Sequence, residues 1–199
     1  MTEFSRAQLL AGGLRGGVTL VAGGTVLAAA APALGGPVEP PEEDLATVRL
    51  AASAELLAEA FYNRALNANA FEQEERSYLV AARANEREHY ESLAGVLGDG
   101  APLANDFQFT FPANAFKSRA AIAKTGVNLE TAFVGAYLGA VASLQTAEYR
   151  AVAGQIGASE AMHLSALTEL RGGSPVGPAF PAALNIEQAT DALAPYLGE

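Results

Sequence analysis

The chain contains only two histidines, and each follows a glutamate by three residues: Glu86-Arg87-Glu88-His89 and Glu160-Ala161-Met162-His163. Residues three apart on an α-helix share a face, so each pair can aim a carboxylate and an imidazole at one point. Two such helices, with one inward glutamate from each of two others, supply the ligand set of a dinuclear carboxylate centre in a helical bundle. The carboxylates can bridge two divalent metals while one neutral imidazole caps each. A pair of iron(II) ions held this way can be oxidised by dioxygen or peroxide. An oxygen-rich site with little nitrogen also tolerates manganese.

Two isolated acids complete the set. Glu55 lies in Leu50-Ala51-Ala52-Ser53-Ala54-Glu55-Leu56-Leu57-Ala58, surrounded by small and apolar side chains. Glu130 is the one acid between Asp106 and Glu148, in the most apolar segment of the chain. A carboxylate in such surroundings is costly unless a cation neutralises it. Glu59, one turn after Glu55, is the substitute, but its neighbours are less apolar. The expected metal ligands are therefore Glu55, Glu86, His89, Glu130, Glu160 and His163. Glu86 and Glu160 are expected to bridge, with Glu55 and Glu130 terminal. Tyr62, Tyr90 and Tyr137 are expected as core aromatics whose hydroxyls find partners.

Four helices must carry these residues. The first is predicted from Leu45 to about Leu66, with Asp44 as its N-cap, because no Pro or Gly interrupts it. The second runs from Phe71 or Glu72 to Leu97, stopped by Gly98. Residues 98–115 form the longest break, an extended crossover that packs Phe107, Phe109 and Phe111 on the bundle. The third helix is predicted from about Ala115 to Leu144, with an irregularity near Gly126. The fourth runs from about Thr146 to Leu170 and ends at Arg171-Gly172-Gly173; a short helix follows near Glu187–Leu197. Gly135-x-x-x-Gly139 would admit a close helix neighbour. The six ligands sit roughly 10–16 residues inside their helices, so at about 1.5 Å per residue they can meet at one level. One long crossover between the second and third helices predicts an all-α, ferritin-like four-helix bundle over residues 44–199.

Composition narrows the function. The 199 residues are half apolar, enough for the core of one domain. A formal net charge of -10 argues against nucleic acid as a partner. The lack of cysteine removes disulfides, thiolate metal sites and cysteine nucleophiles.

Residues 1–36 are of a different kind. Arg6 and Arg15 precede an uncharged run, Gly16 to Val38, that contains Ala28-Ala29-Ala30-Ala31-Pro32-Ala33. A positive start, an apolar stretch and a small-residue exit predict an export signal or a membrane anchor. Ser5-Arg6-Ala7-Gln8-Leu9-Leu10 is similar to a twin-arginine signal with Ala7 in place of the second arginine. Residues 37–43, with three prolines and three glutamates, are predicted to be a linker.

Asp44 to Tyr62, Glu130 with Val134-Gly135-Ala136-Tyr137-Leu138-Gly139-Ala140, Glu160-Ala161-Met162-His163, and Pro175-Val176-Gly177-Pro178-Ala179-Phe180 resemble the bacterial ferritin-like domain family that includes desiccation-related proteins. The similarity spans about residues 44–197, with Met162 where the resemblance leads one to expect arginine. It implies the same six ligands and two iron ions, or manganese. The expected function is iron oxidation or peroxide scavenging by an exported protein in the periplasm, cell envelope or extracellular space. Its partners would be metal ions and dioxygen or peroxide, with homo-oligomers and membrane anchoring left open. The alternative is a non-catalytic, stress-protective bundle in which a metal, where present, only stabilises the fold.

Overall fold

The computed structural model describes residues 40–198. The segment expected to be an export signal or anchor lies outside these residues, as do 37–39 of the expected linker. Five helices form the described chain: α1 (Glu42–Asn67), α2 (Gln73–Leu97), α3 (Arg119–Ser143), α4 (Ala147–Leu170) and α5 (Ile186–Leu197). No strand occurs among the described residues. No described helix is long and apolar enough to cross a membrane.

The helices form two hairpins, α1 with α2 and α3 with α4, joined by the crossover at residues 98–118. Local chemistry sets most of the ends. Glu72 and Glu75 form a reciprocal capping box at the start of α2, and Asn185 and Gln188 form another at the start of α5. Gly98, at φ +56°, ends α2 in a conformation that favours glycine. Helix α3 begins at Arg119, four residues later than expected, because Ser118 accepts from Ala121 N–H and fixes the first turn there.

Asp44 does not cap its own helix. Helix α1 starts at Glu42, and Asp44 turns across the bundle to accept from the N–H groups of Gln145 (2.9 Å) and Thr146 (2.8 Å). It thereby satisfies two backbone donors in the turn that leads into α4, whose first residue is Ala147.

The core has two parts. One gathers Leu57, Phe61, Tyr62, Leu79, Ile122, Leu129, Phe133 and Leu167, together with Leu193 of α5. The other gathers Val48, Ala52, Leu93, Tyr137, Ala140, Leu144 and Ile156. Full burial of such side chains contributes about 1.5–3 kcal/mol each, which is what holds the four helices together. The crossover packs Phe109, Phe111 and Phe116 against the first part. It forms no strand; Phe111 and Phe116 meet edge to face at 5.2 Å, and Arg64 lies over Phe111 while donating to Phe109 O at 3.0 Å.

Helix α3 runs through Gly126 without a break. That glycine is a contact point instead, since a Cβ there would lie 2.7 Å from Leu167 Cδ1 and 2.9 Å from Phe61 Cζ. The Gly135/Gly139 groove receives no helix. It receives the chain leading into α5: Leu184 N donates to Gly135 O at 2.8 Å, and a Cβ on Gly139 would stand 1.7 Å from Leu184 O. Glycine permits this approach because the strap's backbone occupies the volume of a side chain.

Candidate metal centre

Along α1, α2 and α4 the expected ligands fall between the residues of the two core clusters. Helix α1 places Glu55 between Ala52 and Leu57, and α2 places Glu86 and His89 between Ala82 and Leu93. Helix α4 places Glu160 and His163 between Ile156 and Leu167, and α3 contributes Glu130 beside Leu129 and Phe133. The glutamates are almost wholly buried: Glu86 and Glu160 at 0% exposure, Glu130 at 1% and Glu55 at 2%. Glu59, the substitute for Glu55, is only half-buried and stands outside the cluster.

All six residues meet in two overlapping groups. Glu55, Glu86, His89 and Glu160 form one, and Glu86, Glu130, Glu160 and His163 the other, with the donor atoms of each group within 4.8 Å of one another. Glu86 and Glu160 belong to both. Glu86 offers Oε2 to His89 Nδ1 at 3.2 Å and Oε1 to His163 Nδ1 at 2.9 Å. Glu160 does the same, with Oε1 at 3.1 Å from His89 Nδ1 and Oε2 at 3.3 Å from His163 Nδ1. Each central carboxylate thus points one oxygen to either side. Glu55 Oε2 lies 3.3 Å from His89 Nδ1, and Glu130 Oε1 lies 4.0 Å from His163 Nδ1.

Two tyrosines orient the outer carboxylates. Tyr62 donates its hydroxyl to Glu130 Oε1 at 2.6 Å, and Tyr137 donates to Glu55 Oε1. Each bond occupies one oxygen and leaves the other free for the cluster. Tyr90, the third tyrosine, donates to Pro102 O at 2.8 Å and anchors the crossover instead. Sequence reasoning expected satisfied hydroxyls but did not assign these partners. It also missed Tyr78, which donates to His163 O at 3.1 Å with its oxygen 3.4 Å from that of Tyr62.

The electrostatics follow from packing many acids into a dry space. Burial, then the charges of neighbouring Glu160 and Glu86, push the carboxyls of Glu55 and Glu130 well above the usual range. Burial also opposes ionisation of Glu160, but the adjacent His163 and His89 outweigh it and bring that group down to about 2. Burial opposes protonation of the imidazoles, yet the carboxylates around them prevail, raising His163 to about 9 and His89 to about 12. Tyr62 and Tyr137 are raised by burial and by the same acids, so both remain hydroxyl donors.

The donor set fits two divalent cations. Glu130 Oε2 is buried with no hydrogen-bond partner, and Glu86 Oε1 and Glu160 Oε1, at 2.9 and 3.1 Å from histidine Nδ1 atoms, are not aligned for a hydrogen bond, although buried polar atoms are ordinarily satisfied. Four carboxylates match the charge of two dications, and each group of four donors contains three acids and one imidazole. A structural ion pair alone leaves Glu130 Oε2 unexplained.

Comparison with known proteins agrees with this architecture. Residues 43–173 match the family model described as the ferritin-like domain. No curated protein matches the chain. With four long helices, one crossover and a matched segment that holds all six of these residues, this chain belongs to the ferritin-like domain family.

Proposed function

We propose that the chain is an exported protein that binds two iron ions at Glu55, Glu86, His89, Glu130, Glu160 and His163 and oxidises iron(II) with dioxygen or peroxide. The observation that carries this reading is the paired geometry of Glu86 and Glu160, each aiming one oxygen at either histidine. Glu86 and Glu160 would bridge, Glu55 and Glu130 would each serve one metal, and His89 and His163 would each cap one through Nδ1. The bound iron(II) pair would supply the electrons that reduce the oxidant. Tyr62 and Tyr137 hold the outer carboxylates, and the apolar clusters on either side keep bulk water away from the four carboxylates. Manganese is the second metal that this oxygen-rich set would accept.

Export is supported by the sequence alone, through Arg6, Arg15 and the uncharged run Gly16 to Val38. A stress-protective role without turnover, as the resemblance to desiccation-related proteins suggests, would use the same site to stabilise the bundle. Metal analysis combined with stopped-flow oxidation of iron(II) tests the proposal. About two irons per chain and oxidation faster than that of free iron(II) in air support it. Bound iron(II) oxidised no faster than the free ion supports the protective role. Protein that stays metal-free after aerobic and anaerobic loading refutes both metal-dependent readings.

A further inference from the structure

The two histidines are not held alike. His163 Nδ1 faces Glu86 and Glu160, while its Nε2, on the opposite edge of the ring, lies 3.2 Å from the carboxamide of Asn85, whose Nδ2 is placed toward it. Asn85 is half-buried and immediately precedes Glu86 on α2. His163 is itself only 3% exposed. His89 has no such partner: among the described residues nothing bonds its Nε2, and its side chain is 15% exposed, so water can reach it.

Neutral imidazole carries its proton on one nitrogen or the other. For Nδ1 to present a lone pair to a metal, the proton must sit on Nε2. A buried Nε2–H then needs an acceptor, since an unsatisfied donor is costly in a dry interior. The Asn85 carboxamide holds one, because a half-turn of the amide places Oδ1 where Nδ2 would otherwise stand.

We propose that Asn85 is a positioning residue: its carboxamide oxygen accepts from Nε2–H of His163 and fixes the tautomer whose Nδ1 faces the bridging carboxylates. This rests on the two-metal reading above and adds an inequality to it. Nε2 of His163 is held by the protein, whereas Nε2 of His89 is left to solvent. Metal at His163 is therefore held more tightly and exchanges more slowly.

The test uses the full chain labelled with 15N-histidine, in which two histidines give two ring systems. Zinc(II) is the probe, being diamagnetic and inert to oxidation. In wild-type protein the ring nitrogens of His163 are expected to show a hydrogen-bonded proton on Nε2 and zinc on Nδ1. Competition with a chromogenic chelator should resolve two unequal affinities. Asn85→Leu should weaken the tighter step roughly 10–100-fold and leave the other unchanged. Asn85→Asp, which keeps an acceptor, should restore most of the loss; Asn85→Ala replaces the leucine variant if that one misfolds.

Equal affinities in wild-type and Asn85→Leu, or failure of Asn85→Asp to rescue, overturn the proposal. So does a bare Nε2 on His163. If wild-type protein takes up no zinc, the two-metal reading fails, and the metal-free spectra still decide on Asn85. A hydrogen-bonded Nε2 proton that Asn85→Leu abolishes upholds the contact, and its absence in wild type refutes it.

Discussion

Glu86 lies closer to His163 on the opposite hairpin, at 2.9 Å, than to His89 on its own helix, at 3.2 Å. The Glu-x-x-His motif is thus less a self-contained chelate than half of a crossed pair, in which each acid serves both imidazoles. A residue shared by two metals differs in its loss from one that serves a single metal. Glu86→Gln or Glu160→Gln should lower metal content from about two per chain to below one, while Glu55→Gln should leave about one. In the metal-free protein Glu160→Gln breaks a buried ion pair with His89 and His163 and should lower the melting temperature, whereas Glu55→Gln, whose carboxyl is already pushed toward the neutral form, should change it less. Elemental analysis after chelator washing, with parallel thermal melts, checks both outcomes. Equal loss in Glu55→Gln and Glu86→Gln contradicts bridging.

The same crowding predicts proton release. In metal-free protein near neutral pH the imidazoles of His89 and His163, raised to about 12 and about 9, hold the protons that must leave before Nδ1 can bind a metal. The upward push on the carboxyls of Glu55 and Glu130 acts in the same direction. Loading should therefore release about two protons per chain or more, read by a pH indicator in weak buffer. Release near zero means that the ligands are already free of protons, against the electrostatics of the cluster.

Stability of the metal-free protein should fall on the alkaline side. A histidine whose pKa is raised on folding stabilises fully below its unfolded value of 6.5, and that contribution is lost as pH rises through the folded value. For His163 the loss spans roughly pH 6.5 to about 9, and for His89 it extends to about 12. The raised Glu55 and Glu130 act in the same direction, because their buried carboxyls ionise at a cost as pH rises. Glu160 is lowered, so its contribution is present above 4.5 and is lost as pH falls toward 2. Chemical denaturation across this range should show the alkaline decline without metal and a much weaker one with metal bound.

Much of this centre was legible in the sequence because its signals are local. Two histidines each paired with glutamate, and two acids isolated among apolar residues, need no tertiary information to be noticed. Helix order and one long crossover were equally visible. What escaped depends on rotation between helices. The bond from Asn85 to His163 spans 78 positions, and that from Tyr62 to Glu130 spans 68. Asp44 was misread for the same reason: it has the type and place of a local N-cap, but its partners lie 101 and 102 residues away. The late start of α3 had a local signal in Ser118, which the unbroken run after Ala115 obscured.

Asp44 yields a separable prediction. Burial alone would raise its carboxyl, but hydrogen bonds from Thr146 and Gln145 and the charge of Arg150 bring it below the usual value of 3.8. Its contribution should be present above pH 3.8 and fade as pH falls further. Asp44→Ala leaves two backbone donors unpaired in the turn that leads into α4, at a cost of about 1–3 kcal/mol. Denaturation at pH 7 measures the loss. The gap between wild type and variant should narrow in acid, and a gap independent of pH would assign the cost to packing.

Gly139 tests whether the strap into α5 is part of the fold. Alanine there would place its Cβ 1.7 Å from Leu184 O, too close for any side-chain adjustment to relieve. Either α3 or the strap must move, and the strap has less to hold it, being irregular and exposed from 172 to 183. Lifting it breaks the bond from Leu184 N to Gly135 O and loosens Leu193 from the core. Gly139→Ala should cost about 1–3 kcal/mol, with Tm lower by roughly 2–4 °C per kcal/mol. Gly154→Ala is the matched control on α4. Its Cβ would meet only Val141 Cγ2 at 3.9 Å, an ordinary contact, so relief of the helical glycine penalty should stabilise by up to about 1 kcal/mol. Hydrogen exchange locates the damage: the amides of Leu184 and α5 should lose protection in Gly139→Ala while those of α2 keep theirs. Uniform loss across all helices would instead mean that the strap and the bundle unfold as one unit.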